Sequence, residues 1–311
     1  MREERDTQPS APGVSIVLLT HDAGPGLDRV LDAVFGQEGA PPFELIAIDT
    51  ESVDGTLERL QKRPLRVERI TRAEFSHPGT RNLGVRLARA PIVSFLVQDA
   101  IPFHARWLAN LIAPLAEDPR VAAAYSRQVP RERCNPVERH DIHRGAPAIR
   151  RVKRLVDTEP FLREDYRRNL SEFILFSNVA SCARRELLLR YPFDERLPMV
   201  EDQEWCKRIL EAGLSVVYEP ASVVIHSHDH GLRQVYRRHA DYGRAFALFH
   251  PVQTSLAGSV LAAAYESLGD YLFLLQSPGP FRSKLQWIPG IPARRLAMKL
   301  GFHRGLRTRP A

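Results

Sequence analysis

The sequence predicts an α/β protein: a doubly wound, mostly parallel sheet flanked by helices, with a helical C-terminal extension. Three observations carry that expectation. Three apolar runs within the first 100 residues lack the alternation of half-exposed strands, as strands covered on both faces do. Helical spacing fills the intervals between them, and strand–helix alternation builds parallel sheets. Beyond residue 230 the apolar spacing turns helical.

Taken in order, residues 1–13 are polar, mixed in charge and without the apolar core of a signal peptide, and read as a disordered tail. SIVLLTHD (15–22) is the first strand, ELIAIDTES (44–52) the second and APIVSFLVQDA (90–100) the third. Leu27, Val30, Leu31, Val34 and Phe35 have helical spacing after Gly24-Pro25-Gly26. Asp54-Gly55-Thr56 turns into a helix at Leu57 and Leu60, and Pro78-Gly79 precedes one that runs to about Ala90. Residues 127–170 are Arg-rich, punctuated by Pro130, Pro136, Pro147 and Pro160, and read as an insertion of loops and short helices on the rim of a site. Residues 215–218 and 223–225 read as strand pieces around Glu219-Pro220. The division is thus a tail over 1–13, a main domain over 14–230 and a helical extension over 231–311. Leu232, Val235, Tyr236, His239, Gly243 and Phe246 mark an amphipathic helix. Residues 254–276 are interrupted by Glu266 and Asp270, too early for the roughly 20 apolar residues of a membrane span, and read as one or two packed helices.

Charge is concentrated at the end of the chain. The net charge is +7, yet residues 281–311 hold eight Lys/Arg and no acid; removing those eight from 44 leaves 36 basic residues against 37 acidic. This segment, with Trp287, Ile288, Leu296, Met298, Leu300 and Phe302, reads as either an anionic-membrane contact or a solvated terminus. The neutral body offers no footprint for nucleic acid. Cys134, Cys182 and Cys206 are odd in number and far apart, which excludes a disulfide framework and fits a reducing cytoplasm.

Ligands of doubly wound sheets bind beyond the carboxyl ends of the strands, where His21, Asp22, Asp49 and Asp99 fall. A second cluster is VEDQEW (200–205). At about 100 degrees per residue, Asp202 shares a face with Trp205, Cys206, Ile209 and Gly213, while Glu201, Glu204, Arg208 and Glu211 point to solvent and Glu204 pairs with Arg208. Asp202 is then either a helix cap or a buried base. His226 and His228 lie on one face of an extended chain, as metal ligands or as surface histidines.

In this order the motifs resemble glycosyltransferase family 2, of GT-A fold, closest to its rhamnosyltransferase-like, non-processive branch, over residues 14–230. SIVLLTHDAG resembles the opening strand and turn, with Thr20 and His21 at the nucleotide. AIDTESVDGT resembles the segment whose acid, Asp49, contacts the nucleoside, and FSHPGTRNLG the one whose Arg81 reaches the donor. FLVQDAIP occupies the D-x-D place with Gln98 and Asp99, its first acid missing. VEDQEW resembles the segment carrying the general base, Asp202, and VVIHSH the one whose His226 joins Asp99 at the metal. Glu201, His228, Asn178 and Trp205 are further candidates, Trp205 as core first and sugar platform second. The Q-x-x-R-W motif of processive members is absent after Asp202.

The resemblance implies an inverting transferase that uses Mn²⁺ or Mg²⁺. It moves one sugar from a nucleotide donor (dTDP-rhamnose, or a UDP- or GDP-sugar) to a glycan or lipid-linked acceptor, with the enzyme peripheral at the cytoplasmic membrane face. A hard cation offsets charge on the leaving diphosphate, and a carboxylate takes the acceptor's proton. Two alternatives stand: a catalytically inactive nucleotide-sugar binder, suggested by the reduced D-x-D place, and a nucleotidyltransferase. The latter needs a phosphate-cradling loop that Gly24-Pro25-Gly26 supplies poorly, Pro25 having no amide hydrogen.

Overall fold

The computed structural model describes residues 11–155, 166 and 169–308. Most of the predicted N-terminal tail, and residues 156–165 and 167–168 of the insertion, lie outside these; Gly13 is tied in by its amide to the Pro42 carbonyl at 2.7 Å.

Nine strands form one sheet: β1 (Val14–Thr20), β2 (Phe43–Thr50), β3 (Arg66–Ile70), β4 (Ile92–Val97), β5 (Ile101–Pro102), β6 (Val121–Val129), β7 (Arg151–Arg154), β8 (Ala180–Arg184) and β9 (Ser215–Ile225). Their order is β3-β2-β1-β4-β8-β6-β9-β5, with β7 also on β9. The β3-β2-β1-β4 run is parallel, as is the long β6–β9 pair, while β8 lies antiparallel between β4 and β6. The three predicted strands are β1, β2 and β4. Their apolar runs are unbroken because alternate residues face two separate cores: Val17, Ile46 and Val93 enter one, and Ile16, Leu18 and Leu45 the other.

The expected strand pieces around Glu219-Pro220 are one strand, β9. Its register on β6 jumps between Ser126/Glu219 and Arg127/Val223, so Pro220 sits where the ladder needs no amide. The two halves of β9 take different partners, β7 beside Ser215–Tyr218 and β5 beside Val224 and Ile225. The insertion is therefore not only loops and short helices: β7 extends the sheet, and a helix spans Pro136–Gly145.

Helices Gly26–Phe35, Thr56–Gln61 and His77–Leu87 fall in the three intervals read from sequence, and Trp107–Glu117 is a further helix that the sequence reading did not include. The third begins earlier than expected. Ser76 caps it by accepting the Gly79 amide at 3.0 Å, and Pro78 fits its first turn, where no amide is needed.

The extension is helical: Leu232–Phe249, Leu256–Gln276, Phe281–Leu285 and Gly290–Arg307. The Leu232–Phe249 and Gly290–Arg307 helices meet at backbone distance. A Cβ on Gly305 would collide with the Ala240 carbonyl, one on Gly301 with that of Tyr236, and one on Gly243 with that of Phe302. Cations of the basic segment mostly face inward. Buried Arg295 pairs with Asp270 at 2.7 Å and Asp141 at 2.8 Å, and Arg294 donates to the His230 carbonyl at 2.7 Å. Lys299 pairs with Glu266, and Lys284 donates to the Ser277 carbonyl at 2.6 Å. Arg295 thus ties the Pro136–Gly145 helix to the extension through Asp141, while Arg282, Arg304 and Arg307 of the same segment stay exposed.

The Leu256–Gln276 helix is inverted relative to an ordinary amphipathic helix. Its buried positions are Ser259, Ala263, Ser267, Asp270 and Leu274. Its exposed face carries Leu261 (70% exposed), Tyr265 (78%), Leu268, Leu272 and Leu275. No helix among the described residues is long and apolar enough to cross a membrane.

Candidate functional site

The ends of β1, β2 and β4 form one edge of the site. Thr20 and Asp49 are register partners across β1 and β2, and the Thr20 hydroxyl donates to Asp49 at 2.9 Å. Asp49, fully buried, also accepts from the Ser52 hydroxyl at 2.6 Å and its amide at 3.1 Å. Gln98 clamps the backbone of His21, accepting its amide at 2.7 Å and donating to its carbonyl at 3.0 Å. The His21 ring donates from Nδ1 to the Thr50 carbonyl at 2.6 Å. Asp22 and Glu51, which follow these strands, adopt left-handed backbone conformations, as residues at functional turns often do.

Asp99 meets the histidines because of β5. Ile101 opposes Ile225, so the turn after β4 and the segment after β9 converge. Asp99 Oδ1 lies 3.6 Å from His226 Nε2, and Oδ2 lies 3.9 Å from His228 Nδ1. Candidate ligand atoms of the three residues all fall within 4.8 Å of one another. His226 Nδ1 bonds Gln128 Oε1 at 2.9 Å. A carbonyl oxygen only accepts, so the proton sits on Nδ1 and Nε2 presents its lone pair to Asp99. Burial holds His226 down at about 4 and His228 at about 3. Both rings are neutral at neutral pH, the form that ligates metals. One carboxylate and two imidazoles suit Mn²⁺ better than Mg²⁺, so the residues fit the expected ion. Arg131 donates to Asp99 Oδ2 at 3.1 Å and to its carbonyl at 2.7 Å, adding positive charge beside the cluster.

The Glu201–Glu211 helix starts from Val200, whose left-handed φ of 55° is unusual for a β-branched residue. Asp202 is not its cap. Its Oδ2 accepts the Asn178 amide at 3.0 Å and its Oδ1 the Gln203 amide at 2.9 Å. Burial and the adjacent Glu201 carboxylate push Asp202 up to about 7, against the Asn178 amide and Arg81, which pull it down.

Glu201 corrects the sequence reading. Expected to face solvent, it is 3% exposed and pairs with Arg81 at 2.6 Å. The helical wheel assumed a single buried face, but the first turn of this helix packs against the His77–Leu87 helix, where Arg81 supplies a countercharge. Glu204 pairs with Arg208 at 2.7 Å as expected. Trp205 is fully buried, with its indole donating to the Tyr191 carbonyl at 2.7 Å. It is core and offers no platform for a sugar.

A cavity of about 510 Å³ gathers Asp99, His226, His228, Asp202, Asn178, Glu201 and Arg81. Thr20, His21, Asp49 and Gln98 lie at the adjoining strand ends and do not line it. Sequence reasoning missed Gln128, Glu138 and Arg238, which line this cavity, and Arg131, which pairs with Asp99. Gln128 belongs to β6, which had not been recognised, and Arg131 to the segment read as rim.

A family model described as Glycosyl transferase family 2 matches residues 15–188. The O-antigen chain rhamnosyltransferase RfbN of Salmonella typhimurium is 28% identical over 295 residues, covering 94% of this chain and 89% of that protein. The O-antigen chain rhamnosyltransferase WbaN of Salmonella anatum is 27% identical over 299 residues with the same coverage. Among solved structures, a mannosyltransferase from Pyrobaculum calidifontis in complex with GDP-Man and Mn²⁺ superposes with TM-score 0.57 at 18% identity, over 93% of this chain and 86% of that one. Glucosyl-3-phosphoglycerate synthase from Mycobacterium tuberculosis, in complex with Mn²⁺, UDP and phosphoglyceric acid, gives TM-score 0.55 at 17% identity over 76% and 77%. At such identities these two report the fold alone, which is GT-A.

Proposed function

The chain belongs to glycosyl transferase family 2 and is a glycosyltransferase, and we propose that it is an inverting, non-processive one that moves a single sugar, rhamnose first among candidates, from a nucleotide-diphosphate donor to a glycan on a lipid carrier. One observation carries this reading: Asp99, with its two neutral histidines, and Asp202, raised to about 7, open into the same cavity although 103 positions separate them.

Asp202 takes the proton of the attacking hydroxyl. Each of its oxygens already accepts one backbone amide, which fixes the carboxylate plane and leaves a lone pair for the acceptor. With one base and no second carboxylate acting as nucleophile, displacement is direct and the anomeric centre inverts. Asp99, His226 and His228 are the residues that would hold a divalent cation, which when bound would offset charge on the leaving diphosphate. Gln128 keeps His226 in the ligating tautomer. Arg81, its charge partly shared with Glu201, faces the donor, while Asp49, Thr20, His21 and Gln98 shape the nucleoside end. The two O-antigen chain rhamnosyltransferases support a sugar donor and a polysaccharide acceptor, and the GDP-Man and UDP complexes of proteins that share the fold are in keeping with a nucleotide on that donor.

Peripheral attachment at the cytoplasmic membrane face is part of the same reading, but its basis shifts from the basic segment to the apolar outer face of the Leu256–Gln276 helix. Phe281, Leu285 and Trp287, which follow in the chain, are exposed as well.

The test is transfer from dTDP-rhamnose, UDP-sugars and GDP-sugars with Mn²⁺, in the wild type and in Asp202→Asn. Expected are a product of inverted configuration, loss of turnover on chelation, and a rate for the variant lower by about 10²–10⁴. An unchanged rate in the variant removes Asp202 as base. Nucleotide binding without turnover of any donor favours the inactive binder.

A further inference from the structure

A second cavity, of about 630 Å³, lies beside the first and shares Asp141, Leu175, His239 and Met298 with it. Its walls are β7 and β9 on one side and the extension helices on the other. It carries more cations than its acids neutralise. Arg295 and Lys299 are matched internally by Asp141, Glu266 and Asp270. Arg144, Arg151 and Lys153 make no ion pair among the described residues, and Glu172, whose charge favours the Lys153 ammonium, is the one lining acid left to set against all three.

Lys153 is the informative member. It is buried on β7, lies 5.1 Å over the Tyr125 ring, and donates to the Leu175 carbonyl. Burial holds its ammonium down at about 8. A buried cation without a countercharge is unfavourable in isolation, and an anion beside it reverses that penalty. Exposed Arg144 and Arg151 at the rim extend the same field outward.

We propose that this cavity binds a phosphate or diphosphate ester on the acceptor, through Lys153, Arg151 and Arg144, and so presents the acceptor's hydroxyl to the neighbouring Asp202. The assignment of the bound group to the acceptor rests on the glycosyl-transfer reading above. Recognition of the anion does not.

The test uses the full chain with UDP or dTDP and Mn²⁺ saturating the first cavity, titrated calorimetrically with inorganic pyrophosphate and with farnesyl diphosphate. Both are expected to bind. Lys153→Met keeps the stem and removes a buried charge that makes no ion pair among the described residues, so it folds, and it is expected to weaken both by 10- to 100-fold, the range for hydrogen bonds to charged groups. The exposed-site double variant Arg144→Ala/Arg151→Ala is expected to lose about tenfold and to raise the acceptor KM by a similar factor, with donor KM and donor hydrolysis unchanged. Undiminished pyrophosphate binding in both variants overturns the site. Binding of pyrophosphate but not farnesyl diphosphate overturns its assignment to a carrier-linked acceptor in favour of a free anion. Loss of anion binding in the variants of a chain that turns over no donor upholds the site and refutes the transfer reading. An unchanged acceptor KM in an active double variant does the reverse.

Discussion

Replacing Asp202 with Asn should weaken catalysis and strengthen the fold. The unfolded carboxyl ionises near 3.8, whereas in the native state burial and Glu201 delay ionisation to about 7. Between these values the folded protein binds more protons than the unfolded one, so its stability falls as pH rises. An amide has nothing to ionise and still accepts the Asn178 amide. A shift of about 3 units at 1.36 kcal/mol each gives roughly 4 kcal/mol as an upper figure. Asp202 is only half-buried and faces an open cavity, and solvent screening takes about half, leaving ~2 kcal/mol. For a chain of this size that is a rise in Tm of about 3 °C. The gain should be absent at or below pH 3.8, grow toward pH 7 and level off above it. Thermal unfolding of both proteins across pH 4–8.5, alongside initial rates, checks each part. The wild-type rate should climb with pH and inflect near 7, where the base loses its proton. A variant less stable than wild type at pH 8, or a gain independent of pH, would refute the account of how this carboxylate is held.

Four further outcomes follow from the geometry. Gln128→Ala should reduce Mn²⁺ affinity 10- to 100-fold, measured by titration in the presence of nucleotide, because His226 loses the acceptor that fixes its tautomer. Glu201→Ala should destabilise the fold by about 3–5 kcal/mol in denaturant unfolding, since Arg81 is left charged and buried. Gly305→Ala should destabilise by about 1–3 kcal/mol, whereas Gly290→Ala, with open space around it, should not. Leu268→Gln with Leu272→Gln should abolish binding to vesicles of phosphatidylglycerol and phosphatidylethanolamine while leaving Tm within about 1 °C, because both side chains are exposed in the folded chain.

The parts legible in the sequence are those with strong local physics. β1, β2 and β4 stood out because strands covered on both faces write continuous apolar runs, and their polar ends marked one edge of the site. The pairing of His226 with His228 followed from simple alternation. β6 was missed because VAAAYSRQV opens with alanines, which carry no strand preference, and β3 because RVERI is a charged edge strand. Glu201 was misplaced because a helical wheel knows only one buried side, and the countercharge that permits a second lies 120 residues away. Arg131 and Gln128 were invisible for the same reason: their significance lies in what the sheet brings opposite them.

Where the Leu232–Phe249 and Gly290–Arg307 helices cross, three glycines bring main chain against main chain, and the Phe246 and Phe302 rings pack across the same seam. The pair therefore behaves as a single stiff beam. Arg238, His239 and Tyr242 ride on one half, and Arg294, Arg295 and Met298 on the other, so the far walls of both hollows keep a fixed spacing. Any breathing needed to admit a bulky acceptor must then come from the loops facing that beam, and adaptation to a different acceptor can proceed by exchanging side chains along it without re-engineering a hinge.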